Sequence, residues 1–199
     1  MQNDQPHIAN SLLNSFKAFV GSHFLLNIIN AIQSDVILNK NKSAFDVLQK
    51  YSRLYKSALR SSNEQFVSVS SEIDLLNEYI ALEQLRFPTK TFPKIVSKSI
   101  DETSYVPSFI FQSLVENAWL LSLEHSNSKL GIEIKTTEKS VKLIINLKPE
   151  SQKIMHSKVE GKTQLAIERL ELLKKHDTID YTINWNNNHF LELTIHLNK

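Results

Sequence analysis

The residue whose type and setting first suggest chemistry is His23, in the run Ser22-His23-Phe24-Leu25-Leu26-Asn27-Ile28-Ile29-Asn30. At 100° per residue in a helix, Asn27, Asn30 and Ser34 fall within about 40° of the His23 direction, a narrow polar ridge on an otherwise apolar surface. An imidazole there is a candidate nucleophile near neutral pH, because its unperturbed pKa is about 6.5. The Asn27 amide, one turn on, is placed to hold the ring or a group attached to it. The bland alternative is an exposed helical histidine with no role. A second candidate is Glu116-Asn117, two polar side chains set inside the apolar run from Val106 to Leu123; burying them without partners would be costly. A third is the set Tyr79, Glu83 and Arg86, which share one helical face at i, i+4 and i+7 and could link one layer of the molecule to the next.

The elements that must position these residues divide the chain in two. Asn10 to Leu38 contains no proline and one glycine, Gly21, and reads as a helix that is apolar around much of its circumference. Asn39-Lys40-Asn41-Lys42 is a polar turn. A second helix is expected from about Ser43 to Arg60, with Phe45, Leu48, Tyr51, Leu54, Tyr55 and Leu59 at helical spacing. A third should start near Ser71, which precedes Asp74 in a capping-box arrangement, and end before Pro88. So apolar a hairpin cannot bury its surface alone. It needs either a second hairpin, making a dimeric four-helix bundle, or the third helix of its own chain. Beyond Pro93 the period changes. Lys94 to Ile100 is a strand candidate, Val106 to Leu123 a helix, and Leu130–Thr136 and Val141–Leu147 alternate like paired strands. Thr163–His176 is an amphipathic helix, and the end reads as a hairpin, Thr178–Trp185 and Phe190–Leu197.

The candidate residues fall in motifs that resemble those of LytS-type sensor histidine kinases. His23-Phe24-Leu25-Leu26-Asn27-Ile28-Ile29-Asn30 is similar to that family's Pro-His-Phe-Leu-Phe-Asn-x-Leu-Asn segment, with Ser22 where the family has proline. Tyr51-Ser52-Arg53-Leu54-Tyr55-Lys56 resembles its second-helix segment, with Lys56 in place of arginine. Glu72, Tyr79, Glu83, Arg86 and Phe87 resemble its Glu…Tyr-(Leu/Ile)-x-x-Glu-x-x-Arg-Phe signature. Val106-Pro107 followed by Gln112, Leu114, Val115, Glu116, Asn117 and Ala118 resembles its Ile-Pro…Gln-x-Leu-Val-Glu-Asn-Ala box, and Arg169-Leu170 its late Arg-Leu helix. The resemblance covers roughly residues 15 to 197.

It implies an α+β chain: residues 1–92 forming a helical hairpin that dimerises into a four-helix bundle, and residues 93–199 forming an α/β sandwich like the ATPase domain of histidine kinases. It also implies that His23 carries a phosphoryl group with Asn27 assisting, and that Glu116 and Asn117 are what remains of a nucleotide box. Asn117 would be the Mg²⁺ contact. The partners implied are a second copy of the chain and the receiver domain of a response regulator.

The family pattern fails in the nucleotide half. Its Asp-x-Gly-x-Gly loop should follow the strand Val141–Leu147, where Lys148-Pro149-Glu150-Ser151 stands instead. Its Gly-x-Gly-Leu segment should lie near Glu160–Leu165, where Gly161 is the one glycine. Leu120-Leu121-Ser122 replaces the usual Lys-His-Gly. The whole chain has three glycines, where a typical composition of roughly 7% would give about fourteen. Without glycine the backbone cannot approach phosphates closely or present its N–H groups to them.

The leading expectation is therefore a degenerate histidine kinase that binds no ATP or Mg²⁺ and relays phosphate through His23. The alternatives are an active kinase that uses both, and a non-catalytic interaction module. Composition agrees with an ordinary globular protein: 41% apolar, 22% charged and no cysteine. A net charge of +2 carries no nucleic-acid footprint, and the charged and polar interruptions of the apolar runs predict no membrane span and a cytoplasmic location.

Overall fold

The computed structural model describes residues 5–87, 92–98, 100–101, 103–124, 129–148, 162–186 and 190–196. Three helices lead: α1 (Gln5–Phe19), α2 (Ser22–Ile37) and α3 (Asn41–Ser61). The expected single helix from Asn10 to Leu38 is thus two, broken at Gly21. Gly21 has φ −44° and ψ 145°, extended rather than helical, and caps α2 without any side-chain hydrogen bond. A Cβ there would meet the Ala18 carbonyl oxygen at 3.2 Å, so the close approach of the two helix ends favours glycine. Leu38 and Asn39 close α2 through backbone bonds, and Asn39 takes a positive φ of 56°, a conformation asparagine tolerates well.

Strand β1 (Phe66–Ser68), too short to show a period in the sequence, leads into α4 (Val69–Arg86). The cap of α4 is Ser68, whose Oγ accepts from the Ser71 N–H at 3.2 Å, so the helix starts before the expected Ser71. Strand β3 (Tyr105–Pro107) pairs antiparallel with β1, and α5 (Ile110–Glu124) follows; the expected helix from Val106 begins only after this strand.

The remaining strands, β2 (Ile95–Lys98), β4 (Lys129–Thr137), β5 (Ser140–Lys148), β6 (Asp180–Asn186) and β7 (Phe190–His196), form one mixed sheet in the order β2-β4-β5-β7-β6. Only β2–β4 is parallel. Alternation decides its faces. Ile132 and Ile134 of β4, Val141, Leu143 and Ile145 of β5 and Leu191, Leu193 and Ile195 of β7 are buried against α5 and α6 (Lys162–Lys175). The opposite face carries ion pairs, Glu133 with Lys98 at 2.8 Å and Lys135 at 3.1 Å, and Lys142 with Glu192 at 3.0 Å.

Helix α3 packs on both α2 and α4, so the third helix of the chain does cover part of the hairpin. It covers one stripe only. Ala44, Val47, Leu54 and Ala58 are buried, whereas Phe45, Leu48, Tyr55 and Leu59 remain exposed, as do Leu26, Ile29, Val36 and Ile37 on α2. Helix α1 runs back to α6, with the Phe16 and Phe19 rings 6.1 and 5.6 Å from that of Phe109. The stretch Pro6–Ile37, which contains α1 and α2, is long and apolar enough to cross a membrane by length and composition alone.

Candidate functional site

The junction between the helices and the sheet half is built around a turn, Ser108–Phe111, held from two sides. Glu72 of α4 is fully buried; its Oε1 accepts from the Phe109 N–H at 2.7 Å and its Oε2 from the Phe111 N–H at 3.1 Å. These are first-turn donors of α5 that no intrahelical carbonyl can reach, and a carboxylate there also favours the helix dipole. Arg169 of α6 donates to the Ser108 carbonyl and, at 2.9 Å, to the Gln65 carbonyl. Burial pushes the Glu72 carboxyl up to about 7, against the two backbone bonds and the Arg169 charge. Burial likewise brings Arg169 down to about 10, against Glu72. Phe109 sits in this grip with φ 65°, a strained conformation for an aromatic residue.

The turn fixes the direction of α5, and α5 with α4 and α2 encloses a cleft of about 640 Å³. Its walls include Gly21 at the cap of α2, Phe24 and Asn27 from α2, Tyr79, Glu83 and Arg86 from α4, and Glu116 and Leu120 from α5. Two of the residues expected to act, Asn27 and Glu116, therefore share one cavity, together with the whole Tyr79–Glu83–Arg86 face. His23 lies on α2 one helical turn before Asn27; its side chain is outside the described residues. Asn117 follows Glu116 in α5, is half-buried and, by the 100° rotation per residue, points along a different face.

Inside the cleft Arg86 forms an ion pair with Glu83 and lies 5.9 Å from the centre of the Phe24 ring and 5.0 Å from that of Phe87. The second Glu83 oxygen accepts from the Trp119 indole N–H of α5 at 3.4 Å. Burial, the largest influence, raises the Glu83 carboxyl; Arg86 and the Trp119 bond pull it back, and Glu116 adds to the rise. Tyr79, whose ring packs tilted against that of Phe24 with centroids 5.8 Å apart, is held well above its ordinary value by burial and by the charges of Glu116 and Glu83. Glu116 accepts from the Gln112 amide one turn earlier in α5.

The expected link from the α4 face to the second half is realised as the Glu83–Trp119 bond. Trp119 was not among the expected site residues, although its position three after Glu116, on the same helical face, was a usable signal. Of the expected phosphate-binding segments, residues 149–151 and 160–161 lie outside the described residues, while Lys162–Leu165 form the start of α6. Among the described residues no three of His, Asp or Glu converge to hold a metal ion.

Comparison with known proteins follows the same residues. Residues 11–91 match the histidine kinase family model. The sensor protein LytS of Staphylococcus saprophyticus is 30% identical over 166 residues, which are 81% of this chain and 27% of that protein. The sensor histidine kinase/phosphatase LytS of Staphylococcus aureus is 31% identical over 138 residues, 67% of this chain and 23% of that protein. The chain thus spans about a quarter of the length of these curated relatives. Among solved structures, one of a bacterial phosphotransferase superposes with a TM-score of 0.50 at 11% identity, covering 96% of both chains, a likeness of fold. Residues 11–91, which the family model matches, contain the His23 helix and the α4 face, and with the 30% identity to a LytS protein over 81% of the chain this shows that the chain belongs to the LytS-type histidine kinase family.

Proposed function

We propose that the chain is a two-component phosphotransfer protein: His23 takes a phosphoryl group from an aspartyl phosphate on a response-regulator receiver and returns it to another. One imidazole nitrogen attacks phosphorus in line, the N–P bond forms, and the P–O bond to the aspartate breaks, leaving a carboxylate. The observation that carries this reading is the contrast between the two halves. The cleft carries Asn27, one helical turn after His23 on α2, opposite Glu83, Arg86 and Glu116, while the segments that would bind ATP lack the aspartate and glycines such binding needs. The nucleotide half then serves as a scaffold that fixes α5, and through it the cleft. Its surviving residues are a poor fit to a nucleotide site, since Glu116 is bonded to Gln112 and turned toward α2 and α4.

The functional unit in this reading is a homodimer, because the exposed apolar stripes on α2 and α3 match what a second hairpin would cover. A receiver partner places these residues on the cytoplasmic side. An active kinase is the second reading, favoured by the retention of Glu116 and Asn117 in α5. A non-catalytic regulator-binding module is the third. Radiolabel appearing on His23 from a phosphorylated receiver and not from ATP, together with no heat of ATP–Mg²⁺ binding by calorimetry, supports phosphotransfer. A micromolar dissociation constant for ATP replaces it with the kinase reading. Regulator binding that survives His23→Ala, with no label by either route, replaces it with the module.

A further inference from the structure

Arg86 has more hydrogen-bonding capacity than its surroundings use. Its guanidinium carries five N–H donors in a planar fork suited to phosphate oxygens. In the described structure it makes one ion pair, with Glu83 of its own helix, and its remaining contacts are the faces of Phe24 and Phe87. The Arg86 side chain is only 13% exposed, so its charge acts in a poorly solvated cleft, where electrostatic attraction is stronger than in water. The residue beneath it, Phe24, directly follows His23, and Asn27 across the same cleft is one turn beyond.

We propose that Arg86, with Asn27, is the binding site for the phosphoryl group carried on His23, and that the guanidinium exchanges Glu83 for the phosphoryl oxygens when that group arrives. This rests on the phosphotransfer reading of His23 and deepens it. The exchange is chemically economical because Glu83 keeps a partner. Its second oxygen is already bonded to the Trp119 indole, so releasing Arg86 does not leave the carboxyl bare. The groups facing Glu83 are Tyr79 and Arg86 on α4 and Glu116 and Trp119 on α5, and the two acids oppose each other once Arg86 turns away. Glu83 is thus a competitor that holds Arg86 in place until a doubly charged phosphoryl group displaces it. Arg86 is in this scheme a ligand of the transferred group, and Glu83 a positioning residue.

The two neighbours therefore have effects of opposite sign, which a merely structural role for either would not give. The full chain is phosphorylated with potassium phosphoramidate, in which the imidazole nitrogen displaces ammonia from phosphorus, and the His23 resonance is assigned by its loss in His23→Ala. Phosphorus NMR then follows its second ionisation with pH. A guanidinium in contact favours the dianion, so the ionisation in wild type is expected about 1 unit or more below that of Arg86→Gln. Arg86→Lys is expected to recover part of the shift, and Glu83→Gln, which frees Arg86, to lower the ionisation further. Identical titrations in wild type and Arg86→Gln overturn the proposal, as does failure of phosphoramidate to label His23 in the folded chain. Exchange of label with a phosphorylated receiver is scored separately. A titration shift without exchange removes the phosphotransfer reading and keeps the Arg86 site, whereas exchange without a shift does the reverse.

Discussion

Glu72 and Arg169 grip the same turn from opposite sides, the carboxylate taking the Phe109 and Phe111 N–H groups and the guanidinium the Ser108 and Gln65 carbonyls. The two residues come from α4 and α6, so the helical region and the sheet region are tied through one strained turn. Two positions of the family motifs are thus structural: they set where α5 begins, and hence where Glu116 and Trp119 meet Glu83.

The first consequence is a pH dependence. The Glu72 carboxyl is raised from 4.5 to about 7 by burial, so between those values the folded chain holds a proton that the unfolded chain has lost. Stability then falls as pH rises through that window, by up to about 3 kcal/mol, and levels off above it. Glu72→Gln removes this titration. Urea unfolding at pH 5 and pH 8 is expected to show a smaller difference between the two pH values for the variant than for wild type. Equal differences in both proteins would place the Glu72 ionisation in its ordinary range.

The other half of the grip gives the second prediction. Arg169→Met leaves the Ser108 and Gln65 carbonyls unpaired and Glu72 without its buried counter-charge, a loss of about 3–5 kcal/mol in unfolding free energy. Arg169→Lys, with one point charge in place of a fork, recovers only part of it. Denaturant midpoints at constant slope measure both. A cost below about 1 kcal/mol for Arg169→Met would mean that the turn holds itself and the grip is incidental.

These relationships mark the limit of what the sequence made legible. The α4 face and the strand pairs were readable because each is a local period. The break at Gly21 was not, because apolar spacing runs on through both sides of it and one glycine in a helix is ordinary. Strand β1 has three residues, fewer than any period needs. The α4 cap was misplaced because Ser68, Ser70 and Ser71 all offer a suitable oxygen, and only the pairing of β1 with β3 selects Ser68. Glu72 and Arg169 are far apart in the chain, and no local pattern shows that they share a turn.

The Gly21 break is compatible with the family's proline at position 22 and yields a third prediction. Ser22 is the first residue of α2, where a missing N–H costs nothing, and Gly21 already has the extended ψ that a following proline demands. Ser22→Pro, which restores the family residue, is therefore expected to stabilise the chain by about 0.4–1 kcal/mol through the unfolded state. A thermal melt reads this as a rise of a few degrees, with unchanged circular dichroism. A fall in the midpoint would mean that the N–H of residue 22 or the helix junction is used in a way the break does not require.

The exposed stripe of α3 gives the last prediction. Phe45 is 62% exposed and Leu48 49%, while Val47 between them is buried at 2%. The helix therefore has two apolar faces, and its own chain satisfies one. Substitutions on the open face of a lone chain change its stability by no more than about 0.5 kcal/mol. In a hairpin dimer each of these side chains instead contributes about 1.5–3 kcal/mol of burial, twice over by symmetry. Phe45→Glu with Leu48→Glu is thus expected to convert a two-chain species to single chains in sedimentation equilibrium, with helicity retained. The same variant is expected to leave phosphoramidate labelling of His23 intact, because neither residue lines the α2–α4–α5 cleft. Wild type sedimenting as a single chain at micromolar concentration would remove the dimer and leave the open face of α3 to another partner.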